Sequence, residues 1–576
     1  MPQEVKARSG PDTALGLAGQ HAAVAAHLDA LLARADVAVL TAPGGSPRTA
    51  GTLRAAAAGI VAGAVGIAAS ELLAGAVPGV PSLVVAVGSL VIAVQPPGAK
   101  DLVATLFGTN DKTALSVAVV VVALLVAAAA GILGRRSFGR AWRIFVAFGV
   151  VAFAAALLQP LDPAPLAALN AAVATATGVG TLRILLADAG FLGPLALREG
   201  AAGPADAAPA DLAPATLSMP DWNRRRFLLR SGGFVGGALA AGALGRLLLD
   251  RRHPSSAPVS ASLPVPTEVV PPLTTVESLT APGITPIVIP NNRFYRIDTE
   301  LLVPQVDAST WQLRVTGMVD HPLTFTYAEL LALPLFEQYV TLSCVSNDVG
   351  GILIGNTLWT GVHLKEVLGE AGVRPGATQI VGRSVDGFTV GLPTAWALDP
   401  AREPMIAVGM NRVPLPAEHG YPARLIVPGL YGYVSATKWL SEIELTTREA
   451  FDAYWVRLGW AKDGPILTES RIDHPADGAG LTAGPVDIDG LAWAPDRGVQ
   501  RVEVRVDGGP WQSALLSRAI SKATWVQWML RWRATPGTHT IEVRATDGTG
   551  AVQTATPGGP APAGATGYDQ VQVTVA

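Results

Sequence analysis

The sequence predicts a chain of three parts: an α-helical transmembrane bundle, a mixed α+β domain and an all-β sandwich. Three observations lead to this prediction. Apolar residues dominate positions 51–190, strand-like and helix-like stretches alternate over 286–450, and positions 451–576 are strand-like throughout. Half of the 576 residues are hydrophobic and only 15% are charged, with a formal net charge of −3 at pH 7. This near-neutral balance gives no indication of nucleic-acid binding.

The N-terminal 190 residues predict a tail and then a multi-helix membrane region. Residues 1–50 are polar and rich in Ala and Gly, and carry no chemical motif. Residues 51–190 hold apolar segments at about 55–77, 83–94, 115–133, 144–158 and 166–186. The third has roughly 19 residues and no charge, enough to cross the hydrocarbon core of a bilayer. The second is short and is followed by Pro96 and Pro97, so it is either re-entrant or extended toward Phe107.

One more hydrophobic segment follows a linker. Residues 191–222 are rich in Ala, Pro, Gly and Asp and predict the linker, and residues 223–250 begin with Arg224–Arg226 before an apolar run to Leu249. This pattern is typical of a twin-arginine export signal, here internal, or of an ordinary last transmembrane helix with a positive cytoplasmic flank. Both interpretations place the arginines inside the cell and everything after Leu249 outside.

Loop charges bear on the orientation of the bundle. Arg135, Arg136, Arg140 and Arg143 lie between the third and fourth apolar segments and predict a cytoplasmic loop. Two further crossings return the chain to the cytoplasm at Arg224. The N-terminal tail is inside if the second segment does not cross and outside if it does, so the helix count stays open.

The C-terminal half predicts a tether and two folded domains. Residues 251–285 are rich in Pro, Ser, Thr and Val and predict an extended tether. Residues 286–450 predict the α+β domain. Within 451–576, valines alternate with charged residues from 502 to 506, and Asp507-Gly508 then turns the chain. Short alternating strands with Asp-Gly turns are typical of a β-sandwich of immunoglobulin type.

Cys344 is the only cysteine in the sequence and cannot form an intrachain disulfide. A lone cysteine is either a small buried apolar side chain or a reactive thiolate. Val340 and Leu342 alternate with polar positions, as in a strand that ends at the cysteine, and a polar loop containing glycines follows. Reactive groups are commonly displayed on loops at strand ends. The pattern therefore favours a chemical role for Cys344.

The stretch Thr-Leu-Ser-Cys-Val-Ser-Asn, residues 341–347, together with Trp359–Lys365, resembles the molybdenum-binding segment of the sulfite oxidase family. The resemblance, in a membrane-anchored bacterial form, covers about residues 286–575. It implies that the Cys344 thiolate is the catalytic metal ligand, with Ser343 and Val345 beside a molybdenum-pyranopterin cofactor. Soft thiolate suits such a metal, and coordination keeps the thiol deprotonated.

Three further segments resemble the same family. They are Asn291–Asp298, the Ser-Val-Asp-Gly-Phe run inside Gly382–Pro393, and the Gly/Pro-rich stretch Gly409–Gly432 with the Lys-Trp-Leu that follows at 438–440. The resemblance implies cofactor contacts from Asn292, Phe294, Tyr295, His419, Arg424 and Lys438. Arginine and lysine supply donors and positive charge for the terminal phosphate of the pterin, and glycines allow close approach of the backbone.

The sequence departs from the family at two places. Sulfite oxidases carry arginines after the cysteine to bind an oxyanion, whereas Asp348 lies in that loop here. Trp460 aligns with the active-site tyrosine of the family, and Tyr454 lies six residues earlier. The implied activity is therefore oxygen-atom transfer or reduction on a small substrate, either sulfite or another.

The implied partners are a small substrate, a separate electron carrier, membrane lipid and a second copy that dimerises through the sandwich. No histidine lies between residues 51 and 250, so we expect no bis-histidine haem in the bundle and none elsewhere in this chain. The expected location is the cell membrane, with the α+β domain outside the cytoplasm. The alternatives are a non-catalytic, membrane-tethered binding protein with an immunoglobulin-like module, and a cysteine hydrolase that pairs Cys344 with His363 or His419.

Overall fold

The computed structural model describes residues 47–94, 111–160, 162–192, 221–252 and 262–576. Residues 1–46 of the predicted tail, the extension of the second apolar segment toward Phe107 and most of the linker lie outside these residues, whereas residues 47–50, predicted as tail, begin the first helix. Contacts divide the described chain into two compact units. The first combines the described residues up to Val65 with Ala123–Val146 and those from Thr177 to Gly236, and the second holds the remainder.

Six helices make up the described N-terminal region, in agreement with the predicted helical bundle. They are α1 (Pro47–Ala76), α2 (Leu83–Val94), α3 (Asp111–Gly134), α4 (Phe138–Leu157), α5 (Ala164–Asp188) and α6 (Asp221–Arg252). Within the described residues, all except α2 are long and apolar enough to cross a membrane, by length and composition. Helix α2 has 12 residues, fewer than the roughly 20 that a straight crossing needs.

Small residues let the helices approach closely in both units. A Cβ on Gly59 of α1 would lie 2.0 Å from the carbonyl oxygen of Ala127 in α3. In the second unit, a Cβ on Gly75 would lie 2.3 Å from the carbonyl oxygen of Gly245 in α6. Such close backbone contact is typical of helix packing in membranes, where van der Waals contact rather than the hydrophobic effect holds helices together.

The α+β domain follows in the second unit and contains two sheets. Its strands are β1 (Gln312–Gly317), β2 (Leu323–Thr326), β3 (Leu335–Ser343), β4 (Ile354–His363), β5 (Gln379–Ser384), β6 (Thr389–Pro393), β7 (Met405–Met410), β8 (Val413–Pro414), β9 (Arg424–Ile426) and β10 (Leu440–Thr446). One sheet has the order β2-β1-β10-β5-β6, and the other has the order β3-β4-β7-β8 with β9 also paired to β7. Its short helices are α7 (Tyr327–Ala332), α8 (Leu364–Ala371), α9 (Thr394–Ala397) and α10 (Gly432–Ser435).

Two predicted local features of this domain are present in the structure. Strand β3 ends at Ser343, immediately before Cys344, and its pairing with β4 continues to the last residue, where Ser343 faces Ile354. The Asp386-Gly387 pair turns the chain between β5 and β6, and Gly387 has a φ of 87°. Glycine adopts this left-handed conformation without the steric penalty that a Cβ would add.

The C-terminal domain is a sandwich of two β-sheets. Its strands are β11 (Glu469–His474), β12 (Gly480–Leu481), β13 (Gly484–Trp493), β14 (Val499–Val506), β15 (Gln512–Ser513), β16 (Leu515–Leu516), β17 (Val526–Ala534), β18 (Gly537–Asp547) and β19 (Asp569–Val575). The sheet orders are β11-β13-β17-β16 and β12-β19-β18-β14-β15. Val502 and Val504 are buried in its core with Trp528, as the alternating pattern predicts.

Candidate functional site

Cys344 lies in a tightly closed loop at the end of β3. Its backbone N–H donates to the carbonyl of Leu353 at 2.9 Å, and its own carbonyl accepts from the Asn347 N–H at 3.1 Å. The Asn347 side-chain oxygen accepts from the Leu353 N–H at 2.7 Å. These bonds connect the two ends of the loop, so the thiol is displayed from a fixed backbone while its side chain remains half-buried.

Buried hydrogen bonds fix the strand that leads into this loop. The Thr341 hydroxyl lies 3.1 Å from the Asn356 side-chain oxygen and accepts from the Trp525 N–H at 2.8 Å. The Asn356 amide in turn donates to the carbonyl of Ile287 at 2.8 Å. Trp525 comes just before β17, so the sandwich contributes to positioning Cys344. In a low-dielectric interior, a connected network of this kind favours a single arrangement.

Cys344 lines a cavity with about 800 Å³ of empty space, a figure that includes its open mouth. Five of the residues that the resemblance singled out line this cavity, namely Tyr295, Cys344, Val345, Arg424 and Lys438. They come from three separate segments of the sequence. The fold therefore brings the thiol and two basic side chains to one site.

The remaining four residues that the resemblance singled out lie around the cavity rather than in its lining. Phe294 is buried and packs against the rings of Tyr295, Trp359 and His419. Ser343 is buried, and its hydroxyl donates to the carbonyl of Cys344 at 3.3 Å. Asn292 is exposed. His419 is buried behind Phe294 and contacts Asn291, the neighbour of Asn292, through a backbone carbonyl.

The protonation state of His419 follows from that contact. Its Nε2 lies 2.9 Å from the Asn291 carbonyl oxygen, which can only accept, so Nε2 carries the hydrogen. Nδ1 is then an acceptor, and it is buried without a partner among the described residues. Burial and the nearby Lys438 ammonium lower the pKa of His419 to about 3. The imidazole is therefore neutral at physiological pH.

Neutral burial of His419 makes stability depend on pH. The unfolded chain binds a proton near pH 6.5 and the folded chain only near pH 3, so this contribution is complete above pH 6.5 and is lost as the pH falls toward 3. At about 1.4 kcal/mol per pH unit, we expect a loss of about 2 kcal/mol between pH 6.5 and 5. Thermal unfolding at several pH values measures how steeply the free energy of unfolding falls with pH. This slope should flatten in His419→Gln and persist in the control His321→Gln, which changes an exposed histidine. An equal slope in the two variants would contradict the assignment.

Arg424 is a buried cation that has no carboxylate partner among the described residues. Its guanidinium lies over the Trp359 ring, 5.3 Å from the centroid, and its Nη1 donates to the His419 carbonyl at 3.3 Å. Among the described residues it forms no ion pair within 4 Å, and its Nε is buried without an acceptor. Burial lowers the pKa of Arg424 to about 10, so the side chain stays charged.

Lys438 is the second buried cation, and its partner is Asp298. The Nζ of Lys438 lies 3.0 Å from Asp298 Oδ2. Burial lowers the pKa of Lys438 to about 8, against the effect of Asp298. Burial alone would raise the pKa of Asp298, but Lys438, Lys112 and Arg296 hold it well below its ordinary value. Asp298 is the last residue of the segment Asn291–Asp298, but no sequence pattern predicted that it pairs with Lys438.

The polar atoms left without partners fit a pterin that carries a phosphate. The buried guanidinium of Arg424 has an unused Nε–H, which an anion could accept from. The buried Nδ1 of His419 has no donor, and an N–H or O–H group would satisfy it. Gly420, with a φ of 112°, lets its loop pass so close to Lys438 that a Cβ would lie 2.9 Å from the lysine Cα. The cavity lining therefore supplies two cations for a phosphate, Arg424 and Lys438, and the His419 acceptor is buried behind this lining.

Aromatic residues form another wall of the cavity. Tyr433, Trp455 and Trp460 line it, with ring centroids 6.1 Å apart for Tyr433 and Trp460 and 6.4 Å apart for Trp455 and Trp460. Trp460 thus lines the same cavity as Cys344. Tyr433 was not singled out, although its place directly after the Gly/Pro-rich stretch and shortly before Lys438 was a usable signal. Its hydroxyl donates to the Ala461 carbonyl at 2.7 Å.

Two protein-family models match the chain. Residues 300–455 match the model described as "Oxidoreductase molybdopterin binding domain", and residues 469–543 match "Bacterial Ig domain". The second match confirms the prediction that the C-terminal domain is immunoglobulin-like.

Curated relatives match the same region. Mitochondrial sulfite oxidase of Mus musculus is 31% identical over an alignment of 301 residues, which covers 44% of this chain and 54% of that protein. Nitrate reductase [NAD(P)H] of Hordeum vulgare is 31% identical over an alignment of 264 residues, which covers 36% of this chain and 30% of that protein. This chain thus spans about half the length of the sulfite oxidase and less than a third of the nitrate reductase.

Among solved structures, the sulfane dehydrogenase SoxCD from Paracoccus pantotrophus aligns with a TM-score of 0.43 and 24% identity, over 49% of this chain and 77% of that one. Residues 300–455, with Cys344 among them, match a molybdopterin-binding domain of oxidoreductases, and this region is similar in sequence to sulfite oxidase and nitrate reductase.

Proposed function

We propose that this chain is a membrane-anchored molybdopterin oxidoreductase that catalyses oxygen-atom transfer on a small substrate outside the cytoplasm. The observation that carries the proposal is the convergence of the only thiol, Cys344, with two buried cations, Arg424 and Lys438, in one cavity. Its location inside a domain of an oxidoreductase family makes a non-catalytic binding protein the less favoured alternative. Electrons would be exchanged with a separate carrier.

In this proposal the residues of the site divide between metal and pterin. When bound, the cofactor supplies a molybdenum centre that changes oxidation state as an oxygen atom is transferred. Cys344 would ligate the metal as a thiolate. Arg424 and Lys438 would bind the terminal phosphate, and His419, buried behind the cavity lining, would hold Arg424 in place through its carbonyl, which accepts from Arg424 Nη1 at 3.3 Å. The closed loop around Cys344 and the buried bonds of Thr341 keep the sulfur in place without reorganisation.

A cysteine hydrolase is disfavoured by the same geometry. His363 is stacked on Phe336 with centroids 3.5 Å apart, and His419 directs its protonated nitrogen to the Asn291 carbonyl. Neither histidine is among the residues that line the cavity with Cys344. A general base must reach the proton that it abstracts, and these two imidazoles are occupied with packing and backbone contacts.

The charges of the cavity bear on the substrate. The names of the two relatives given above, sulfite oxidase and nitrate reductase, each refer to a small oxyanion. Here the two cations that line the cavity are assigned to the phosphate, and Arg296 is engaged with Asp298 at 2.8 Å. Asp386 also lines the cavity, where burial raises its pKa. We therefore extend the proposal to small substrates other than sulfite.

The proposed membrane topology has five crossings. The guanidinium of Arg135 donates a hydrogen bond to the Thr52 hydroxyl, which brings the start of α1 next to the basic loop before α4. Arg230 of α6 pairs with Asp188, the last residue of α5, at 2.9 Å. If α2 does not cross, all these basic ends lie on one side, which the positive-inside rule makes cytoplasmic. The tail is then inside, and the chain after α6 is outside.

This topology assigns roles to the predicted domains. Residues 51–190 and 223–250 would hold the protein in the membrane, with α6 as an ordinary last transmembrane helix. Residues 286–450 would bind the cofactor, and residues 451–576 would form the sandwich, which we propose also joins two copies. The tether of residues 251–285 would keep the cofactor domain at the outer surface of the cytoplasmic membrane.

Elemental analysis of the purified full-length protein tests the proposed function. From a host that makes the cofactor we expect about one molybdenum per chain, together with a pterin released by acid. The same chain purified from a host unable to make the cofactor is the control and should contain neither. Absence of both from the first preparation would overturn the proposal and favour the binding-protein alternative.

A further inference from the structure

The helical region contacts the α+β domain beside the cofactor cavity. Lys112, in the first turn of α3, places its Nζ 2.5 Å from Asp298 Oδ1 and 2.6 Å from the Glu300 carbonyl oxygen. Asp298 itself lines the cavity. Both residues belong to the same compact unit. The wall of the cavity is therefore in direct contact with the end of a proposed membrane helix.

Two further contacts surround this ion pair. A Cβ on Gly88 of α2 would lie 2.5 Å from Leu301 Cδ1, so this helix packs directly on the chain next to Glu300. A Cβ on Gly387, in the turn between β5 and β6, would lie 3.2 Å from Pro160. The neighbouring residues Asp386 and Phe388 line the cavity. The start of α3, the middle of α2 and the chain just after α4 thus meet the two chain segments that build this side of the site.

Asp298 has three cationic partners. Its carboxylate lies 3.0 Å from Lys438, 2.8 Å from Arg296 and 2.5 Å from Lys112, and its side chain is only 5% exposed. A buried carboxylate that loses a partner binds the remaining ones more strongly, because leaving it uncompensated is costly. Lys438 is also the lysine that the proposed function assigns to the cofactor phosphate. Asp298 and the phosphate therefore compete for the same ammonium group.

We propose that Lys112 is a positioning residue for the cofactor. By neutralising Asp298 from the end of α3, it leaves the Lys438 ammonium available to the phosphate. This inference rests on the proposed function and adds a part that the matched domain of residues 300–455 does not contain. The helical region then contributes to cofactor retention as well as to membrane attachment.

Cofactor retention in full-length variants tests the inference without an activity assay. Molybdenum and pterin per chain are measured at purification and during extended dialysis. We expect Lys112→Gln to lose the cofactor about tenfold faster than the wild type, since a mostly buried charge partner has been removed. Lys112→Arg keeps the charge and should retain the cofactor. Lys522→Gln, at an exposed position before β17 in the sandwich, is the matched control and should behave as the wild type.

The Asp298→Asn variant provides a second background, in which a role of Lys112 in positioning the cofactor can be told apart from a general loss of structure. In Asp298→Asn the competitor of the phosphate is neutral, so adding Lys112→Gln should change the rate of cofactor loss by less than about twofold. A tenfold effect in both backgrounds, or equal loss from Lys112→Arg and Lys112→Gln, would overturn the inference. Wild-type retention by Lys112→Gln would overturn it as well, with the proposed function intact. A wild-type protein without cofactor would instead defeat the proposed function.

Discussion

Replacing Cys344 with serine is expected to remove one sulfur ligand from molybdenum and to abolish the metal-linked activity while the fold persists. A serine hydroxyl is a harder and much weaker donor than thiolate and stays protonated at neutral pH. The hydrogen bonds that close the loop involve the backbone of residue 344 and the Asn347 side chain, not the sulfur. The change therefore removes the ligand and little else. Activity on any substrate should fall by more than about 100-fold, beyond the effect of losing a group that only supports a metal ligand.

Metal content and X-ray absorption at the molybdenum edge measure this outcome directly. The wild-type spectrum should contain one more sulfur neighbour than that of any metal retained by Cys344→Ser. Cys344→Ala is the matched control, since it removes every ligand atom at this position and should give the same loss. Circular dichroism should be unchanged in both variants. Unaltered molybdenum coordination in Cys344→Ser would show that the thiolate is not the ligand.

The uniqueness of the thiol offers an independent check on the same assignment. Because the sequence contains one cysteine, a thiol reagent can modify the chain at a single position. We expect modification of the half-buried Cys344 in the cofactor-free protein and protection in the loaded protein. Protection would link cofactor binding to this sulfur without any assumption about the substrate.

The parts of the site that could be predicted from the sequence are those with local patterns. The alternation of Val340 and Leu342 predicted a strand ending at Cys344, and the structure ends β3 one residue before it. Asp386-Gly387 predicted a turn, because that pair favours the conformations a tight turn needs. In the sandwich, alternation placed Val502 and Val504 in the core. Each of these features depends on neighbours within a few residues.

The parts that could not be predicted depend on distant contacts. Asp298 is 140 residues from Lys438 and 186 residues from Lys112 in the sequence, and no periodicity connects them. The segment Asn291–Asp298 was recognised, but which asparagine contacts His419 was not. The 3₁₀ turn Asn291–Arg293 directs the carbonyl of Asn291 toward the imidazole. The Asn291 side chain is held by the Met410 carbonyl at 3.2 Å and by the Asn411 amide at 2.7 Å, and both partners are distant in the sequence.

Arg424→Met is expected to change two measured quantities in opposite directions. In the cofactor-free protein the guanidinium is fully buried, with one hydrogen bond to the His419 carbonyl and, among the described residues, no ion pair. Replacing an uncompensated buried charge with an apolar side chain of similar length should raise the free energy of unfolding by about 2 kcal/mol. The same change removes the fork of donors proposed to bind the phosphate, so cofactor retention should fall by about 100-fold.

Thermal unfolding of both preparations separates these effects. Without cofactor, Arg424→Met should unfold at a higher temperature than the wild type. After purification from a cofactor-producing host the order should reverse, because a ligand that binds only the folded state stabilises it in proportion to its affinity. Arg424→Lys keeps a buried charge but not the planar fork, so it should gain no stability and still lose cofactor. If Arg424→Met destabilised the cofactor-free protein, the guanidinium would serve the fold itself, through Trp359 and the His419 carbonyl. A reversal of order between the two preparations would instead mean that the fold tolerates this buried charge because the cofactor requires it.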